Sequence, residues 1–111
     1  MGRAPRAIRG EALCRQGYAT EGLTLLEAHL SDLTADHYEY DPRLAWLRAI
    51  TGNCALDAGG ASGARRDAAQ RRATELATLA RETFARQPGV SGYYKAPYHQ
   101  LAKRLGGRQR G

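Results

Sequence analysis

The chain has 111 residues, 42% of them hydrophobic, and a formal net charge of +6 from 17 Lys and Arg against 11 Asp and Glu. That length supports one core and excludes two independent ones. Ile8, Ile50 and Val90 are the only β-branched aliphatics and alternating apolar runs are missing, which excludes an all-β fold and predicts an all-α one.

Residues 1–5 are expected to be flexible. Helix-forming residues run from Ala4 to about Gln16, with Ile8, Ala12 and Leu13 as core candidates, and Gly17 stands where a helix-ending glycine would. The turn through Ala19 and Thr20 is short enough to force the next helix antiparallel, giving a first hairpin over about residues 6–36. In that second helix Leu23, Leu26, Leu30 and Leu33 form one apolar stripe. Burying each leucine is worth roughly 1.5–3 kcal/mol, so the remaining chain is expected to pack against this stripe.

Asp41-Pro42 is a strong start signal, an Asp to cap free amides followed by a proline suited to the first helical position. The third helix should run from Pro42 to Ala58, with Leu47, Ile50 and Cys54 on one face, Leu44 and Trp46 flanking it, and Gly59-Gly60 as its stop. Trp46 reads as a packing anchor. Ser62 is placed to cap a long helix from Gly63 to Gln87, completing a second hairpin over about residues 42–87. Ala69, Leu76, Ala80 and Phe84 would face inward there, and Arg71 to Glu75 and Glu82 to Arg86 are spaced for ion pairs. Gln87-Pro88-Gly89 breaks that helix and V-S-G-Y-Y reads as loop. A short last helix over about residues 96–105 would carry Pro97 in its first turn and Tyr98, Leu101, Ala102 and Leu105 inward, with residues 106–111 a disordered basic tail.

Charge is unevenly spread. Acids dominate residues 11–63 and bases dominate residues 64–111, so the basic half can attract an acidic partner or the acidic middle of its own chain. Cys14 and Cys54 are expected to be small buried thiols, with a disulfide or redox pair as the alternative. No apolar run approaches the roughly 20 residues of a membrane span, and no hydrophobic segment follows the basic N-terminus, so a cytoplasmic chain without membrane engagement is expected.

Little points to chemistry. No G-x-S-x-G turn is present, and A-G-G-A-S-G-A at 58–64 lacks the lysine and preceding strand of a phosphate loop. His29, His37, Cys14 and Cys54 lack the C-x-x-C or H-x-x-x-H spacing of a metal site. Asp32 and Asp36 share a helix face and read as a solvated edge or a complement to arginines. No enzyme activity, cofactor or metal is expected.

An internal repeat carries more. Gly10 and Gly17 are seven apart, as are Gly52 and Gly59, and the pairs are offset by 42 residues, with Gly22 and Ala64 in equivalent places of the following helices. A glycine inside a helix costs about 1 kcal/mol relative to Ala, so it wants a close neighbouring helix as its reason. This pattern resembles the tetratricopeptide repeat in its longer, kinesin-light-chain type, found also in bacterial multi-repeat proteins and beside bacterial Ser/Thr kinase domains. R-Q-G-Y-A-T-E-G-L-T-L-L-E-A is similar to that family's turn and second helix, and the resemblance covers about residues 6–85. Arg6, Arg9 and His29 depart from the family pattern, as does the missing closing proline of the first repeat.

The resemblance implies stacked helical hairpins in a short right-handed superhelix, acting as a non-catalytic scaffold that binds a peptide or partner helix in a groove. Arg15, Tyr18, Arg48 and Asn53 would line its inner surface, Asn53 holding the ligand's backbone. Such arrays usually need about three hairpins, so the last helix is expected to cap the stack; a homodimer or a longer surrounding protein is the alternative. A second reading is nucleic-acid binding by the basic and aromatic C-terminal region, through Lys95, Tyr98, Lys103, Arg104, Arg108 and Arg110, with Tyr93, Tyr94 and His99 nearby.

Overall fold

The computed structural model describes the backbone of residues 4–110 and the side chains of residues 6–106. It is all-helical over that range: α1 (Ala4–Arg15), α2 (Ala19–Asp36), α3 (Pro42–Gly59), α4 (Gly63–Arg86) and α5 (Gly92–Arg110). Of the residues 1–5 expected to be flexible, Met1–Arg3 lie outside the described residues, while the backbone of Ala4 and Pro5 already belongs to α1.

Local chemistry sets most of the boundaries. Gly17 adopts φ +94°, which lets Tyr18 N–H turn back onto the Leu13 carbonyl at 2.9 Å and close α1. Asp41 caps α3, its carboxylate accepting from Arg43 N–H at 2.8 Å, with Pro42 in the first turn. At the far end of α3 the turn residue is Gly60, φ +80°, rather than Gly59. Gly59 has a packing role instead, lying against Ala69 of α4. The turn glycines are therefore Gly17 and Gly60, and the two hairpins are one residue out of step with the 42-residue offset of the sequence. Arg65 donates to the Ala58 carbonyl at 2.8 Å, while Ser62 makes no side-chain capping bond.

α5 is longer than the sequence indicates. Ser91 is its cap, the hydroxyl accepting from Tyr93 N–H at 3.2 Å, so the helix begins at Gly92 and Pro97 falls inside it. The backbone is helical to Arg110, where a disordered tail was expected. Side chains beyond Gly106 lie outside the described residues.

The leucine stripe is buried as expected, with Leu26, Leu30 and Leu33 in the core and Leu23 at its margin. The element on which everything packs, however, is α3, which contacts each of the other four helices. Twelve of its 18 residues are buried. α1 crosses α2 closely because both carry glycine there: a Cβ on Gly22 would stand 2.6 Å from the Gly10 carbonyl oxygen. Gly52 plays the matching part for α5, whose fully buried Leu101 fills the notch it leaves. On α1, Ala7 rather than Ile8 faces the core, and Ile8 is 62% exposed.

Cys14 and Cys54 are joined in a disulfide that ties α1 to α3, with Cα atoms 5.7 Å apart. This corrects the expectation of two free buried thiols. The acidic middle does meet the basic C-terminal half: Arg72 reaches Glu27 at 2.7 Å and Arg104 reaches Asp57 at 2.7 Å. Glu75 also pairs with Arg72, not with Arg71, and Arg86 lies over the Tyr40 ring rather than beside Glu82.

Candidate functional site

α1 and α5 both lie against α3 with no close backbone approach to each other. The strip of α3 between them therefore forms the floor of a groove, and Arg43, Trp46, Ile50, Asn53 and Asp57, spaced three and four apart, make up that face.

One end is aromatic. A cavity of about 380 Å³ is lined by Ala7, His29, Leu33, His37, Arg43, Trp46, Tyr93 and Tyr94. Trp46 and Tyr93 stack with ring centroids 6.1 Å apart and planes 21° from parallel, and Tyr94 meets Tyr93 edge-on at 5.2 Å. Tyr93 is still 67% exposed, so this wall presents a free ring. The charge at its mouth is compensated. Arg43 grips Asp41 through Nη2 at 2.9 Å and Nε at 3.2 Å, which holds the Asp41 carboxyl below the usual carboxylate range and raises Arg43.

The other end is polar and narrow, a cavity of about 80 Å³ whose lining includes Glu11, Cys14 and Arg15 of α1 and Gln100 and Arg104 of α5. Asn53 is already engaged there. Its amide donates to the Ala49 and Pro97 carbonyls, each at 3.1 Å, and its carbonyl oxygen accepts from Arg104 at 3.1 Å. The side chain expected to hold a ligand's backbone thus holds the backbone of α5 at the Pro97 carbonyl. Arg15 pairs with Glu11 at 3.1 Å on the groove's rim.

The other two expected groove residues are elsewhere. Arg48 lies two positions from Trp46, roughly 200° round the helix, and lines a cavity between α2 and α4. Tyr18 stands 56% exposed in the turn before α2. The groove instead recruits Trp46, read from sequence as a packing anchor, and Tyr93 and Tyr94, read as loop; the signal for the tyrosines was Ser91 as a cap.

The basic residues of the nucleic-acid reading are partly spent within the fold. Lys95 donates to the Pro88 carbonyl at 2.9 Å, Tyr98 packs on Phe84 at 5.9 Å, and Arg104 is committed to Asn53 and Asp57. Lys103 is exposed, and the side chains of Arg108 and Arg110 lie outside the described residues. No family model, curated protein or solved structure matches this chain, so the case for its function is built on the groove's own residues.

Proposed function

We propose that this chain is a non-catalytic interaction module that takes a peptide segment in the groove over α3, inserting an aromatic or large apolar side chain between Trp46, Tyr93 and Tyr94. The observation that carries this is the strip of α3 between two helices that flank it with no close backbone approach to each other, closed at one end by exposed aromatic rings. Aromatic-lined concavities bury an apolar anchor well, because a rigid ring contributes large contact area for little lost freedom.

The same packing supports the tetratricopeptide-like reading. α1, α3 and α5 form one layer in which each neighbours the next, and α2 and α4 lie behind as the second helices of two hairpins. α5 then occupies the place of a third hairpin's first helix and caps the array.

Trp46 is the only tryptophan, so its fluorescence reports on the groove directly. Peptides selected from a random library on the intact chain should share an aromatic or large aliphatic anchor and shift Trp46 emission on titration. Tyr94→Ala should weaken them at least tenfold with helicity unchanged by circular dichroism. Selected peptides that leave Trp46 emission unmoved and bind Tyr94→Ala as tightly would sink the proposal.

A further inference from the structure

The cleft on the opposite side of α3 holds a second feature, independent of the groove. α2 and α4 both pack on α3 with no close backbone approach to each other and are bridged by the Arg72–Glu27 ion pair, and between them lies a cavity of about 420 Å³ lined by Leu30, Ser31, Thr34, Ala35, Arg48, Arg72, Leu76 and Leu79. None of these lining residues is acidic. Two guanidinium groups reach it, and they are not alike. Arg72 is fully engaged by Glu27, at 2.7 and 2.9 Å, and by Glu75 at 2.6 Å. Arg48 is only 7% exposed and makes one long hydrogen bond, from Nη1 to the Glu39 carbonyl at 3.4 Å.

A guanidinium carries five N–H donors in a planar fork and keeps its charge at any ordinary pH. Burying it without a close carboxylate is strongly unfavourable, so a position of this kind needs a compensating group. The Glu39 and Glu82 carboxylates favour the charge and Arg72 opposes it, while burial is the largest influence and pulls the Arg48 pKa down. Neither carboxylate forms an ion pair with it, and Arg48 lines the cavity.

We propose that Arg48 anchors a binding site for a small amphipathic anion, its carboxylate or phosphate oxygens held by the Arg48 fork with the Ser31 hydroxyl beside it, and its apolar body lying on Leu30, Leu76 and Leu79. A planar oxyanion accepts two parallel bonds from a guanidinium, the strongest arrangement available to it. The three leucines would shed water onto a short alkyl chain, so that each methylene buried there strengthens binding. The leucines therefore select against a bare ion and for one with a tail.

The test is calorimetric titration and thermal shift of the full chain with acetate, hexanoate and inorganic phosphate, each against chloride at matched ionic strength. Hexanoate should bind at least tenfold more tightly than acetate and raise the melting temperature. Binding of phosphate as well would identify the oxyanion as the shared determinant; phosphate alone, without hexanoate, would overturn the role of the leucines. Arg48→Met should abolish these shifts while melting, without anion, no lower than the wild type, because it removes a buried charge. Arg48→Lys, which keeps the charge but loses the fork, should weaken hexanoate at least tenfold. Equal binding by Arg48→Lys, no binding by the wild type, or a fold of Arg48→Met several degrees less stable would assign Arg48 a structural part instead.

Discussion

Asp41 does with one carboxylate what usually takes two residues. It caps α3 through Arg43 N–H and pairs with the Arg43 side chain. Asp41→Ala should therefore cost about 1 kcal/mol, the usual loss of a capping side chain, measured by urea denaturation at neutral pH. Asp41→Asn, which keeps the cap and loses the charge, should cost less. Its deficit should also shrink in acid. The folded-state pKa of Asp41 lies below its unfolded value, so the charge contribution is present above about pH 4 and disappears as pH falls through the depressed value. Glycine substitutions divide by what a methyl group would meet. At Gly22 it would meet backbone, the Gly10 carbonyl oxygen at 2.6 Å and Cys14 nitrogen at 3.0 Å, so Gly22→Ala should destabilise by about 1–3 kcal/mol despite its better helix propensity. At Gly92, also helical, it would meet nothing within 4 Å, and Gly92→Ala should be neutral or stabilising in the same denaturation assay. The cap at Asp41 was legible because donor and acceptor are two residues apart. The choice between Ala7 and Ile8 was not: adjacent helical positions differ by roughly 100° in direction, and only the path of α2 decides which one is buried.

Helix positions were largely readable, and their relations were not. α2 announces itself by a leucine stripe, whereas α3 shows only the face of Leu47, Ile50 and Cys54, and its small residues give no sign that burial extends well beyond that face. α5 was misread at its start, since a proline suited to a first turn drew attention from Ser91, the residue that caps it. That shift of about four residues is what turns Tyr93 and Tyr94 from loop into groove wall. The cysteines show the same limit, because a count of two cannot say whether residues 40 apart in sequence meet. Since they do, α1 is fastened to α3 covalently as well as through its crossing with α2. Closing a loop of that length removes unfolded-state entropy worth about 4 kcal/mol in the chain-entropy model. Excess dithiol reductant should therefore lower the unfolding free energy of the wild-type chain, measured by urea denaturation, by an amount of that order. A Cys14→Ala, Cys54→Ala double variant should be insensitive to the reductant, with mass spectrometry confirming loss of the bond in the wild type only.

At the scale of the molecule, the two walls of the groove are held by different kinds of force. α1 is tied to the floor by the disulfide, while α5 is held by Leu101 in the Gly52 notch, by a small cluster of Leu101 and Leu105 with Leu56 and Ala73, and by the Asn53, Asp57 and Arg104 network. The network's ion pair is partly exposed, and pairs of that kind contribute about 1 kcal/mol or less. Leu101 is fully buried and therefore dominates the attachment. Leu101→Ala should cost about 2–5 kcal/mol, the range for a buried leucine that leaves a cavity. The more telling readout is where that cost appears. Because α5 touches only α3 and α4, and α1, α2 and α3 share the separate cluster built on Leu26, Leu44 and Leu47, the loss should concentrate in α5. Native-state hydrogen exchange of Leu101→Ala should then show α5 amides losing protection well before those of α2 and α3, with α1 retained while the disulfide is intact. A uniform loss across all five helices would mean that the chain unfolds as one unit. Selective release of α5 would mean that the aromatic wall of the groove is the part free to adjust when a ligand enters, against a floor and an opposite wall that stay fixed.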